Sequence, residues 1–330
     1  MRYVASLLLL LVVASSQAQT PIYTFLKKIT LTGDGKWDYL KMDGDKERLF
    51  VTHQDRVNVV SLKEEKQIGE ITGLNGIHGV ALVKDLNKGY ISNGGDNVIT
   101  VFDYTTLKVL KSIKTEGKKA DAIMYDKFSK QVFVFNNGSG NAVVINPQTD
   151  EVVGMIELGG APEFAVSNGK GDVFVNNEET QEITVIDAKA RTVKAHYSLL
   201  PNEVPTGLAM DVDNNRLFSV CRKSKKMVVV DAANGKIIQT LPIGGVVDAA
   251  VYDKKLKLVF ASNGDGTVTI IKQKTADSYE VVQTLTTKVG SKTMIQQGKT
   301  HRIYLGSAEY KEGTKDIIPN TFGVLVYGIK

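Results

Sequence analysis

A single cysteine, Cys221, stands in 330 residues, so no internal disulfide can form and no cysteine pair is available for zinc. There is no Gly-Lys-Ser/Thr phosphate loop and no Gly-x-Ser-x-Gly turn, which removes the two commonest sequence routes to nucleotide and ester hydrolysis. Long apolar runs are also missing. The stretch from Leu7 to Ala14 is too short for a permanent membrane-spanning helix. With Arg2 ahead of it and Ser16-Gln17-Ala18 behind it, it has the layout of a secretory signal with a small-x-small cleavage site. The expected organisation is a signal peptide over 1–18 and one domain over 19–330, exported to the periplasm, with no cysteine near the cleavage point to carry a lipid. Net charge is +5, mild for a domain of this size and no argument for a nucleic-acid partner.

What is present is a repeated phrase. Leu49-Phe50-Val51-Thr52-His53, Gly89-Tyr90-Ile91-Ser92-Asn93, Val132-Phe133-Val134-Phe135-Asn136, Val173-Phe174-Val175-Asn176-Asn177, Leu217-Phe218-Ser219-Val220-Cys221, Val259-Phe260-Ala261-Ser262-Asn263 and Ile303-Tyr304-Leu305-Gly306-Ser307 recur every 40 to 44 residues. That period is one propeller blade. Each unit reads as four short alternating strands separated by turns, and such a sheet is stable only when stacked on neighbours. The spacing therefore predicts an all-β, seven-bladed propeller of four-stranded antiparallel blades. The last repeat ends at Gly323-Val324-Leu325-Val326-Tyr327 without an outer strand, whereas Tyr23 to Leu31 is one to spare. The N-terminal strand is expected to complete the final blade and clasp the ring.

The phrases Tyr90-Ile91-Ser92-Asn93 and Phe260-Ala261-Ser262-Asn263, each followed by a Thr/Val/Ile strand, resemble those of the YVTN-repeat (YncE-like) β-propellers of bacteria. The likeness extends over essentially the whole mature chain. It implies a fold and not an activity, because that group includes binding proteins, surface-layer proteins and enzymes.

Aligning the units places two sets of residues around one funnel. At the entry to the innermost strands stand Asp38, His78, Asp121, Glu163, Thr206, Asp248 and Thr293, and at the ends of the second strands stand His53, Asn93, Asn136, Asn177, Cys221, Asn263 and Ser307. Carboxylates this close repel one another and raise some of their pKa values unless a cation or polar ligand sits among them. Asp38, Asp121, Glu163 and Asp248 are thus candidate ligands of Ca²⁺ or Mg²⁺, and the histidines keep Zn²⁺ open. His78 and His53 are the candidates to move a proton. Trp37, the only tryptophan, with Asp38, Asn93, Asn136, Asn177, Thr206, Arg222, Asn263 and Thr293 form the candidate ligand-binding set, with Arg222 offering a fork for a carboxylate or phosphate. Against ligation stands the ordinary role of Asn before a tight turn, bonding its own hairpin, and for the carboxylates the capping of backbone N–H groups in a wet channel. Cys221 reads as a structural thiol, and His196 and His301 as structural.

Three functions follow. One is a monomeric binding propeller that takes a small molecule or protein partner on its top face. Another is a metal-dependent hydrolase or lyase, similar in kind to lactonase-type propellers but without a residue-by-residue match to them. The third is single-stranded nucleic-acid binding through Arg222-Lys223-Ser224-Lys225-Lys226, weakened because no aromatic residues interleave with the cations.

Overall fold

The structure is a computed structural model and describes residues 22–329; the signal-like residues 1–18 lie outside them. Seven four-stranded antiparallel sheets account for nearly all the regular structure, and a three-residue 3-10 turn, Lys84–Leu86, is the only helical element among the described residues. The innermost strands, Trp37–Asp43, Ile77–Val83, Ala120–Asp126, Pro162–Ser167, Pro205–Asp211, Val247–Asp253 and Met294–Gln296, each contact the next, and the last contacts the first. The ring is closed.

Six blades take their strands in sequence order. The seventh runs outward from Met294–Gln296 through Ile303–Ser307 and Gly323–Ile329 to Tyr23–Thr30, so the N-terminal strand supplies its outer edge. Register runs from Tyr23 against Ile329 to Thr30 against Gly323, with one bulge between Phe25 and Lys27. Tyr23 is 1% exposed; its hydroxyl donates to the His301 carbonyl at 2.7 Å and its ring meets Phe260 edge-on at 5.1 Å.

The repeated aromatic explains why blades stack. Phe50, Tyr90, Phe133, Phe174, Phe218, Phe260 and Tyr304 are all at most 2% exposed, each on a second strand. Large rings at that position fill the space between neighbouring sheets, which a four-stranded sheet cannot fill alone. Outer strands show the complementary pattern: Thr192–Ser198 alternates exposed and half-buried residues along its length, as an edge facing water should.

The faces of the ring differ. At the far end of four inner strands stand the buried aspartates Asp43, Asp126, Asp211 and Asp253. All are held by the chain itself: Asp43 by Lys84 at 2.6 Å and the Tyr104 hydroxyl at 2.6 Å, Asp126 by Ser167, Asp211 by Gln273 and Asn214, and Asp253 by Gln296 and His301. Burial alone would lift the Asp43 carboxyl, but the hydrogen bonds from Lys84 and Tyr104 and the charges of Lys84 and Arg48 outweigh it and hold the group below the usual carboxylate range. These are saturated locks, and the opposite face carries the less satisfied chemistry.

Candidate functional site

Backbone irregularity sets the funnel. In six blades the pairing of inner and second strands slips near the top: between Trp37 and Leu40, Ile77 and Val80, Ala120 and Ile123, Pro162 and Ala165, Pro205 and Leu208, and Val247 and Ala249. The residues within those slips are Asp38, His78, Asp121, Glu163, Thr206 and Asp248. A bulge re-aims the side chain it carries and leaves backbone groups unpaired. Where the residue before the end of the second strand is polar, it satisfies some of them. The Ser92 hydroxyl accepts from the Gly79 N–H at 2.9 Å and donates to the Asp121 carbonyl at 2.5 Å, the Asn176 amide donates to the Thr206 and Gly207 carbonyls, and the Thr52 hydroxyl donates to the Tyr39 carbonyl. Thr52, Ser92 and Asn176 of the repeated phrase thus brace bulges in their own or the next blade, whereas the blades that carry Phe135 and Val220 at that position slip without such a side chain of their own.

The four carboxylates are brought to one region but are not equivalent. Asp38 accepts from His78 Nδ1 at 2.6 Å, and Asp121 lies 3.6 Å from the same nitrogen. Asp248 pairs with both Arg222 and Lys292, and Arg222 also reaches Glu178 at 3.2 Å. Glu163 accepts from the Tyr39 hydroxyl at 3.1 Å and the Asn137 amide at 3.1 Å. Tyr39 comes from the first blade and Glu163 from the fourth, so the tyrosine bridges the central axis, with its ring edge-on to Phe164 at 5.4 Å. It plugs the funnel.

Electrostatics follow from this partition. Burial and then the Asp38 charge push Asp121 up to about 7, with His78 and Lys119 opposing them. Burial, with Asp121, Glu178, Asp248 and Asp38 adding to it, pushes Glu163 up to about 9. Burial and the charges of Asp121, Glu163, Asp38 and Asp248 raise the Tyr39 phenol well above its ordinary value. Burial works against a protonated His78, but the Asp38 hydrogen bond and the Asp121 and Asp38 charges prevail and hold the imidazole above its ordinary value. The repulsion expected from the sequence is seen in the raised pKa values of Asp121 and Glu163, while Asp248 is offset by Arg222 and Lys292.

A cavity of about 1060 Å³ opens beside this cluster, overlapping it at Asp38, His78 and Lys292. Its outer wall is the loop 308–322. That connection between second and third strands has fifteen residues in the seventh blade, against two to four in the others, and a long loop on a rigid scaffold is where binding is commonly built. Trp37 and Tyr310 contribute aromatic surface to the cavity. Trp37 also packs on Phe322 at 5.4 Å and fills the space over Gly306, where a Cβ would stand 2.5 Å from Trp37 Cδ1. Wall and packing roles coincide in that residue.

Other sequence candidates lie apart from this chemistry. Asn93, Asn136, Asn177 and Asn263 are at most 1% exposed. Their amides are bonded to Ile91 and Thr100, to Asn141, to Gly159, and to Thr267 and Thr269 respectively. Thr206 is buried and donates to the Val220 or Val247 carbonyl, and the buried Thr293 hydroxyl has no partner among the described residues. His53 is fully buried, stacked on Phe322 at 3.8 Å, and burial lowers its pKa; its charged neighbours are Arg56 and Asp55, not the funnel acids. Cys221 is buried, and burial pushes its thiol up to about 12, so it is no nucleophile in the folded state. Arg222 turns into the funnel rather than standing with Lys223, which pairs with Glu203 at 2.7 Å. His196 and His301 are paired with Glu182 and Asp253.

Sequence reasoning missed Tyr39, Asn137, Glu178, Lys292, Tyr310 and the loop. Three of them carried a signal. Asn137 and Glu178 share the repeat position of Arg222, one residue past the aligned Asn or Cys, and Lys292 occupies a position that is apolar or proline in the other six units.

The fold and this top-face funnel define a seven-bladed β-propeller with a charged, partly plugged axial site. The chain belongs to the family described as Domain of unknown function (DUF5074), whose model matches residues 46–211. The match holds His53, His78, Asp121 and Glu163 and stops short of Arg222, Asp248, Lys292 and the 308–322 loop. No curated protein matches the chain. No helix among the described residues is long and apolar enough to cross a membrane.

Proposed function

We propose that the protein is an exported, monomeric binding propeller whose top-face cavity takes a small anionic organic molecule, one bearing carboxylate or phosphate. The observation that carries this reading is the cavity walled by the enlarged loop of the seventh blade. Its lining holds Lys36, Lys288, Lys292, Lys311 and Lys315 against Asp38, Glu309 and Glu312. Among the described residues, Lys36, Lys288, Lys311 and Lys315 have no ion-pair partner. Unpaired cations around a concave site with aromatic walls favour an anion with an apolar or ring portion. Export is supported by the signal-like layout of residues 1–18, and kinship with YVTN-repeat propellers by the phrase around Tyr90.

Citrate, inorganic phosphate, glucose 6-phosphate and uncharged glucose make a discriminating panel. At least one anion is expected to raise the melting temperature in a saturable way while glucose does not, and a Lys311→Glu, Lys315→Glu double variant should weaken that anion about tenfold or more. Failure of every anion at millimolar concentration, or equal binding by the double variant, would refute the assignment.

A further inference from the structure

Three consecutive blades converge on one point beneath the cavity. Asp38, His78 and Asp121 each offer a donor atom, and these lie within 4.8 Å of one another; among the described residues they are the one such group. The Asp121 side chain is only 8% exposed. Among the described residues its carboxylate accepts no hydrogen bond, and its sole ion-pair contact is His78 Nδ1 at 3.6 Å, too long for a hydrogen bond. A carboxylate so buried and unpartnered calls for a cation.

We propose that Asp38, His78 Nδ1 and Asp121 bind a divalent first-row transition-metal ion, with its remaining coordination positions open to the cavity. Tetrahedral ligands about 2.0–2.1 Å from a zinc ion stand about 3.3 Å apart. The His78 to Asp121 separation of 3.6 Å is already near that edge, and the 2.6 Å contact to Asp38 needs to open by less than an ångström as the metal replaces the proton between them. The donors are held from behind. Ser92 ties the Gly79 N–H to the Asp121 carbonyl, joining the two bulges. The imidazole rests on Gly94, where a Cβ would stand 3.1 Å from its Cδ2 and Nε2. Such a supporting shell is what fixes ligand orientation.

The donor set selects the ion. One imidazole with two carboxylates suits Zn²⁺ or Mn²⁺, whereas Ca²⁺ asks for six to eight oxygens. Asp38 and His78 line the cavity and Asp121 does not, so the ion would be anchored from below and open above. This reassigns His78 from proton carrier to ligand. It goes beyond the anion reading and is tested without it, because the readout is metal uptake and not ligand affinity.

The full chain, purified without chelator or affinity-tag metal and then stripped, is titrated calorimetrically with Zn²⁺ and with Mn²⁺, with folding checked by circular dichroism. One equivalent of at least one of them is expected to bind. His78→Ala and Asp121→Asn should each lower its affinity on the order of 100-fold, and His301→Ala, at the opposite face, should leave it unchanged. Should Asp121→Asn not fold, His78→Ala and His78→Gln decide. No uptake by folded wild type at millimolar metal overturns the proposal, as does unchanged uptake in the folded His78 variants.

Discussion

Deleting residues 22–31 is expected to abolish cooperative unfolding at physiological temperature, leaving an expanded, aggregating chain by calorimetry and size-exclusion chromatography. The strand Tyr23–Thr30 pairs along its length with Gly323–Ile329, so its loss opens the outer edge of the seventh blade. Within it, Tyr23 is buried against Phe260 and bonded to His301. Tyr23→Ala alone should cost about 3–5 kcal/mol, the range for buried aromatic truncation. Set against a total of about 5–15 kcal/mol for a typical domain, that single change removes a large fraction of stability. Phe25→Ala in the same strand, at a side chain 53% exposed, should cost about 1 kcal/mol or less. An effect of about 1 kcal/mol or less at both positions would mean that the strand is dispensable and that closure lies elsewhere.

Glu163→Gln is expected to stabilise the protein at pH 8 and to flatten its dependence on pH. Glu163 is pushed up to about 9 by burial and by Asp121, Glu178, Asp248 and Asp38. An unfolded glutamate ionises near about 4.3. Between those values the folded state binds the extra proton, so stability is fully present below the unfolded value and falls as pH rises toward the folded one. Glutamine keeps the acceptor for Tyr39 or Asn137 and cannot ionise. The gain at pH 8 should be on the order of 2 kcal/mol, well below the full shift because Glu163 is half-buried and not wholly shielded from solvent. Asp248→Asn is the contrasting variant. It leaves Arg222 and Lys292 without their shared partner and should destabilise at the same pH. Denaturant melts at several pH values distinguish the two, and a Glu163→Gln variant that loses stability at pH 8 would show that the carboxyl is ionised in the folded state.

The fold was readable because a propeller repeats its instructions. The aromatic of each second strand had to be buried by the same geometry seven times, and the spare strand at Tyr23 had one place to go. The funnel was readable only in part. Alignment of the units located Asp38, His78, Asp121, Glu163 and Asp248 at one level, since position within a repeat maps to position around the axis. It could not say which acid meets which cation, because those contacts depend on bulges and on long side chains reaching between blades. Asp248 turned out to be neutralised by Arg222 and Lys292, while Asp121 has only His78. Tyr39 escaped notice because its role is to cross from the first blade to the fourth, a relation that no local pattern encodes. The 308–322 loop also escaped notice, because its place over the cavity depends on ring closure.

The central claim is that ligand is held at the top face, between the funnel and the seventh-blade loop. Hydrogen–deuterium exchange of the full chain, with and without whichever panel anion binds most tightly, tests it most directly. Slowed exchange confined to the 308–322 loop and to the amides of Lys288 through Lys292, with the outer strands unchanged, is the predicted result. Protection on the outer strands or at the Asp43, Asp126, Asp211 and Asp253 face, with the loop unaffected, would contradict it.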